Sequence, residues 1–276
     1  MAYEITGAQY KAEWIQPFER GETYLKACVT PEMVMEGNSS AVFAVRGTGS
    51  GMSSRGANGL IPTRNATDTQ VTVTLKERHT LENHTKFNVF TTQGGKMRQN
   101  MQLRSRMDAV REIDDEIILA LETASTQFSA SAITMSHGAI ADITSDLWTN
   151  DVGDEITFVW TPKAWAKLNT LDAFINADYV DGKPLMGKME RPKYWNGATH
   201  MMHNGLPGRG TSTAKCYAFA KSAIGHAMAA ENIDIASGYN EEQAYSWDRA
   251  SINHASVVLK QSGLLEIVYD DTAAIS

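Results

Sequence analysis

Cysteine is scarce in this sequence: Cys28 and Cys216 stand far apart, too few to form the disulfide framework that staples small secreted domains. The pair suits a reducing compartment. A long apolar run is missing as well, since no stretch of about 18 apolar residues occurs and no helix is offered to a bilayer. The opening MAYEITGAQYKAEW carries charge throughout and lacks the apolar centre of a signal peptide. Basic excess is also absent. Lys and Arg total 25 against 32 Asp and Glu, and the net charge of -7 argues against the broad footprint of a dedicated nucleic-acid binder. It leaves room for a local basic patch, or for a container that holds nucleic acid without gripping it. What remains is the composition of a folded domain, 42% hydrophobic and 21% charged, and 276 residues suffice for one large domain or two modest ones.

Glycine is concentrated in one place. GTGSGMSSRGANG, residues 47–59, holds five glycines and three serines between two strand-like stretches. A phosphate cradle would need glycine at relative positions one, three and six, but the sixth position from Gly47 is Met52 and from Gly49 is Ser54. A Walker loop would end in Gly-Lys-Ser/Thr, and no lysine lies between Lys26 and Lys76. Before the loop, Ala41 to Arg46 reads as a short strand. After it, Thr69 to Lys76 alternates, with Val71, Val73 and Leu75 on one face and Thr72, Thr74 and Lys76 on the other. The loop is therefore expected at the tip of a long hairpin, and connections of that length inside compact domains are usually functional or disordered.

The strongest periodicity follows. From about Lys96 to Ala124, apolar residues recur at Met97, Met101, Met107, Val110, Ile113, Ile117, Leu121 and Ala124, which predicts an amphipathic helix of roughly 40 Å. Arg104/Asp108 and Arg111/Asp115 have the i, i+4 separation of supporting pairs on its other face. The methionine stripe reads as core packing ahead of an adaptable binding groove. Lys96, Arg98, Arg104 and Arg106 could meet nucleic acid, solvent or another subunit. Further on, Asp154 to Thr161 reads as a strand and Pro162 as a helix start. Asp181 to Gly210 is rich in loop residues, Ala214 to Ala229 is apolar enough for buried strand or helix, and strands return at Ile252 to Leu259 and Leu264 to Tyr269.

Catalytic constellations are weak. His200 and His203 stand three apart without the glutamate of HExxH, in a Gly/Pro-rich segment, and read as solvent-exposed loop histidines ahead of a zinc pair. Ser50 has Thr48 where the first glycine of a GxSxG elbow should stand. Asp114, Asp115 and Glu116 occupy adjacent helical positions that point in different directions, and Glu241/Glu242 has no better claim. No catalytic residue, cofactor site or metal site is assigned.

The order of elements is more telling: an arm broken by Pro17, Gly21 and Pro31, a long hairpin, a long helix, a mixed section, and strands returning at the end. With the segments TLKERH…LETAST (Thr74 to Thr126) and AKCYAF…IVYDD (Ala214 to Asp271), the chain resembles the major capsid proteins of tailed bacteriophages over nearly its whole length. The resemblance implies an α+β Hong Kong 97-like fold with an N-terminal arm at 1–36 lying across a neighbour and an extended loop at 37–80 reaching over an adjacent subunit. It also implies a peripheral domain with a spine helix at 81–130 and 240–276, and an axial domain at 131–239. It implies a non-enzymatic structural protein, part of the virion, that assembles with itself into pentamers and hexamers of an icosahedral shell in the bacterial host cytoplasm. The shell would hold double-stranded DNA weakly, with no membrane and with separate scaffolding, portal and cement proteins as further partners. An N-terminal scaffolding segment of the kind the family often carries is not expected here. Arg46, Arg55 and Arg64 are the residues expected to reach an adjacent subunit's acidic surface, with solvated charge as the bland alternative. Rival readings are an encapsulin-type nanocompartment shell with the same fold, a zinc hydrolase built on His200 and His203, and a monomeric ligand-binding domain.

Overall fold

The computed structural model describes residues 22–47, 52, 54–55, 58–61, 67–85, 95–175 and 192–274. In chain order the strands are β1 (Thr30–Val34), β2 (Ser40–Val45), β3 (Thr69–Thr74), β4 (Lys76–Thr85), β5 (Ile156–Trp160), β6 (Lys193–Trp195), β7 (Ala198–Met202), β8 (Ala214–Ala220), β9 (Ile224–Asn240), β10 (Tyr245–Val258) and β11 (Leu264–Tyr269). The helices are α1 (Gly95–Leu121), α2 (His137–Thr149), α3 (Pro162–Leu168) and α4 (Asp172–Ile175). Among the described residues, β1-β9-β10-β4 form one sheet, β11-β8-β5-β7-β6 a second, and β2-β3 a two-stranded hairpin.

The expected helix is α1, and Val110, Ile113, Ile117 and Leu121 form its buried stripe. The side chains of Met97 and Met101 lie outside the described residues. Its polar face is organised by β4 more than by the helix itself. Lys76 meets Glu116 at 2.5 Å, Arg78 meets Glu112 at 3.1 Å, and Glu82 meets Arg104 at 3.1 Å. Two residues of strand advance about 6.6 Å and four residues of helix about 6 Å, so an antiparallel strand and helix keep such pairs in step. Arg111 pairs with Asp108 one turn earlier. The sequence pattern could register only the intrahelical spacing, because the strand partner is remote in the chain.

The four-stranded sheet is used on both faces. His226 and Met228 of β9 alternate with Gly225 and Ala227, as strand geometry requires. Met228 joins the core beneath α1 with Ile113, Ile117 and Leu121, whereas Ala227 joins Val34, Ala41 and Phe43. The Phe43 ring lies so close over Gly225 that a Cβ there would stand 2.8 Å from it. The hairpin is thus rooted on the sheet face opposite the helix. Its β2 and β3 run in register from Ser40↔Thr74 to Val45↔Thr69, as the alternation predicts. Gly47 closes against Thr67, where a Cβ would meet the Thr67 carbonyl oxygen at 2.0 Å, so this first glycine of the loop serves a close approach.

Within residues 22–34, Leu25 and Val29 are fully buried and β1 adds in parallel to β9. Residues 76–80 pair with β10 in the four-stranded sheet, where β9 lies between β1 and β10, and β11 pairs with β8 in the five-stranded one. The apolar stretch 214–229 resolves into strand β8, a 3-10 turn at Lys221–Ala223 and the start of β9. The five-stranded sheet packs with α2, α3 and Phe174 around the fully buried Trp160 and Trp165. Thr161 caps α3 ahead of Pro162, accepting from the Ala164 amide at 3.3 Å and donating to Asp271 at 2.6 Å.

Truncating Phe43 to Ala is expected to cost about 3 kcal/mol at the hairpin root. The measurement is hydrogen exchange at Ala41 to Val45, which should accelerate while amides in α1 do not. Unchanged exchange at the root would show that the hairpin is not held there.

Candidate functional site

Two sites follow from this frame: a buried polar joint that holds the parts together, and the hairpin of β2 and β3. The joint centres on Asp114 of α1, fully buried. Its two oxygens accept the backbone N–H groups of Tyr24 at 3.1 Å and Leu25 at 3.2 Å. His203, which follows β7, lies beside it with Nε2 at 3.4 Å from Oδ2, both side chains out of solvent. The Gly205 amide donates to His203 Nδ1 at 3.0 Å, so Nδ1 is the acceptor and the ring proton sits on Nε2, facing Asp114. One carboxyl group therefore ties the N-terminal segment, the long helix and the loop after β7. The sequence places Asp114 in an acidic triplet but says nothing of burial. Asp115 is exposed and Glu116 buried, so the triplet does diverge.

His200 and His203 correct the expectation of solvent-exposed loop histidines. Both are buried, and they point to different surroundings. His200 stacks on Phe158 with centroids 4.6 Å apart and lies edge-on to Phe174 at 5.9 Å. Trp160 Nε1–H donates to its Nδ1 at 3.1 Å, and its Nε2 meets the Trp195 carbonyl at 3.2 Å, so the neutral ring is fully used. Burial in this aromatic box pushes its pKa down to about 3. Among the described residues, no group of three or more His, Cys, Asp or Glu could hold a metal ion. Burial also pushes Cys216 up to about 12 and raises Cys28, which leaves neither thiol suited to nucleophilic work at neutral pH.

A second buried histidine pair lies between α1 and the four-stranded sheet. The rings of His226 and His254 stand 5.6 Å apart, and His226 Nδ1 meets Ser256 Oγ at 2.8 Å. Burial lowers both to about 4, helped at His226 by the neighbouring His254 ring and opposed at His254 by Glu116.

Of the three arginines expected at an interface, Arg46 follows β2 and lines a cleft of about 550 Å³ with Asp151 and Asp154 of the same chain. Arg55 is exposed at the hairpin tip, and Arg64 lies outside the described residues. The loop between β2 and β3 also exposes Met52, Leu60 and Ile61, large apolar side chains that carry no charge pattern to mark them in the sequence. Among the described residues, no helix is long and apolar enough to cross a membrane.

Replacing Asp114 by Ala leaves two backbone amides without their acceptor and is expected to lower stability by about 2–4 kcal/mol. Urea unfolding should show a lower midpoint at constant slope; an unmoved midpoint would remove Asp114 from its role. The pH dependence has a definite sign. Below about 6.5 the unfolded chain protonates His200, His226 and His254, while the folded chain keeps them neutral down to about 3 to 4. Stability is complete above pH 6.5 and is lost as pH falls toward 4, by about 1.4 kcal/mol per pH unit for each histidine involved. His226→Gln should flatten that slope in thermal unfolding, and an equally steep slope would exclude the pair as its source.

Comparison with known proteins agrees with this architecture. The model of the phage capsid protein family matches residues 4–271. No curated protein sequence matches the chain. Among solved structures, one from Mycobacterium phage Che8 superposes with a TM-score of 0.71 at 16% identity, covering 99% of this chain and 100% of that one. The capsid of a native GTA particle gives a TM-score of 0.69 at 12% identity over 96% of each chain. The capsid of Ralstonia phage GP4 gives 0.67 at 8% identity over 98% of this chain and 97% of that one. At such identities the likeness establishes the α+β Hong Kong 97-like fold. A family match that runs almost from end to end supplies the rest: the chain belongs to the phage capsid protein family and is a structural protein of the virion shell.

Proposed function

We propose that copies of this chain assemble as pentamers and hexamers into an icosahedral shell that encloses the double-stranded DNA of a tailed phage, built in the bacterial host cytoplasm. The observation that carries this reading is the hairpin. Among the described residues, β2 and β3 make a sheet of two strands, with Met52, Leu60 and Ile61 exposed beyond their ends. Exposed apolar side chains of this kind are a liability in a monomer and a contact in an assembly. In this reading the tip lies over an adjacent subunit, where Arg55 and Arg64 meet acidic groups and Arg46 acts at the root. The unit around the four-stranded sheet and α1 serves as the peripheral domain, and the unit around the five-stranded sheet as the axial domain.

Many weak contacts repeated with closed symmetry give a shell its stability without any single strong interface. A net charge of -7 suits a wall along which packaged DNA must slide. Scaffolding, portal and cement proteins are the further partners this role calls for.

Negative-stain microscopy with sedimentation tests the reading on the full chain and on a variant lacking residues 48–66. The full chain should give uniform shells or pentamer and hexamer capsomers. The shortened one should keep its thermal unfolding temperature and fail to close shells. A monomer at every concentration, with and without a crowding agent, or closed shells from the shortened chain, would contradict it.

A further inference from the structure

Strand β4 is an edge of the four-stranded sheet, and none of its residues from Lys76 to Thr85 is buried. Its one large apolar side chain, Leu81, stays 57% exposed. Toward α1 it offers Lys76, Arg78 and Glu82, whose ion pairs are half-exposed and individually weak. A cavity of about 90 Å³, walled by Arg78, Asp108, Glu112, Ala250 and Ile252, lies between it and the helix. β4 is therefore held mainly by its ladder to β10. Opposite Lys76 in that ladder stands His254, fully buried, with the His226 ring 5.6 Å away. Among the described residues, neither ring nitrogen of His254 has a hydrogen-bond partner. We propose that His254 is a proton-operated latch: when it takes up a proton, β4 comes away from α1 and β10 while the rest of the chain stays folded.

With β4 in place, the ring has no room for a positive charge. Glu116 of α1 favours one but is already engaged by Lys76, and β4 adds Arg78, itself paired with Glu112. From β9 comes His226, with Lys26 and Asp114 nearby, and Asp114 is tied by the amides of Tyr24 and Leu25. Burial outweighs Glu116 and keeps His254 neutral down to about pH 4. Once β4 lifts, water reaches the ring and its affinity for protons returns to the ordinary pKa of about 6.5. Above 6.5 neither state binds the proton, and opening does not depend on pH. Between 6.5 and about 4 only the open state binds it, so the open population rises about tenfold per pH unit. Below about 4 both states bind it and the gain ends. β3 passes into β4 through Leu75 alone. On the reading that the hairpin reaches an adjacent subunit, acid loosens that contact at its base; the latch itself does not rest on that reading.

The test is native-state hydrogen exchange on the full chain between about pH 7 and 5, read as protection factors so that the intrinsic pH dependence of exchange drops out. The β4 amides bonded to β10 should lose protection about tenfold per pH unit below 6.5, the slope of one proton. Amides of β8, with those of Tyr24 and Leu25, should start higher and fall more steeply, because global unfolding also protonates His200 and His226. His254→Gln, or His254→Asn if the first does not fold, should leave β4 protection independent of pH. A flat profile for β4 in the unaltered chain, or one that coincides with β8 at every pH, overturns the proposal. So does an unchanged β4 slope in the variant. None of these outcomes bears on whether shells form.

Discussion

A carboxyl group withdrawn from water must find its partners inside the protein, and Asp114 finds them on separate stretches of chain. Two backbone amides from residues 24–25 and the ring of His203 converge on it, with all of its surface buried. The helix could not shift along the sheet, nor residues 22–26 lift away, without leaving buried donors unpaired, a cost of about 1–3 kcal/mol for each. The apolar core beneath α1 sets the helix at its depth; Asp114 sets its position along its own axis.

The rest of the architecture builds outward from that registration. With α1 fixed, β4 runs beside it so that Lys76, Arg78 and Glu82 meet Glu116, Glu112 and Arg104 in step. Such half-exposed pairs contribute little stability individually. The helix covers one face of the four-stranded sheet and thereby leaves the other to Phe43 and the hairpin root. Alternation along β9, residue by residue, is what sends Met228 to the helix and Ala227 to the hairpin. The seat of the hairpin root is in this sense a consequence of how the helix is held.

Local signals in the sequence were legible where they had a period or a cap. The alternation from Thr69, the stripe through Val110, Ile113, Ile117 and Leu121, and Pro162 at the start of α3 each correspond to the element expected. The order of elements was enough to place the chain among phage capsid proteins. Signals that depend on remote partners were not legible. Asp114 read only as one of three adjacent helical acids pointing in different directions, because nothing near it in sequence announces that Tyr24, Leu25 and His203 will close over it. His200 sits in loop-like sequence, and its aromatic box comes from β5, α4 and β6. Within the stretch read as an arm, β1 was not legible, because a five-residue strand added in parallel to a distant partner has no hairpin to mark it.

The most direct measurement is native-state hydrogen exchange at the Tyr24 and Leu25 amides. If Asp114 holds the frame, these two exchange only with the slowest amides of α1, through global unfolding, despite standing near the beginning of the described chain. Fast exchange at both, at rates typical of fraying segments while α1 stays protected, would show that the N-terminal segment detaches freely and that the joint is not what registers the helix.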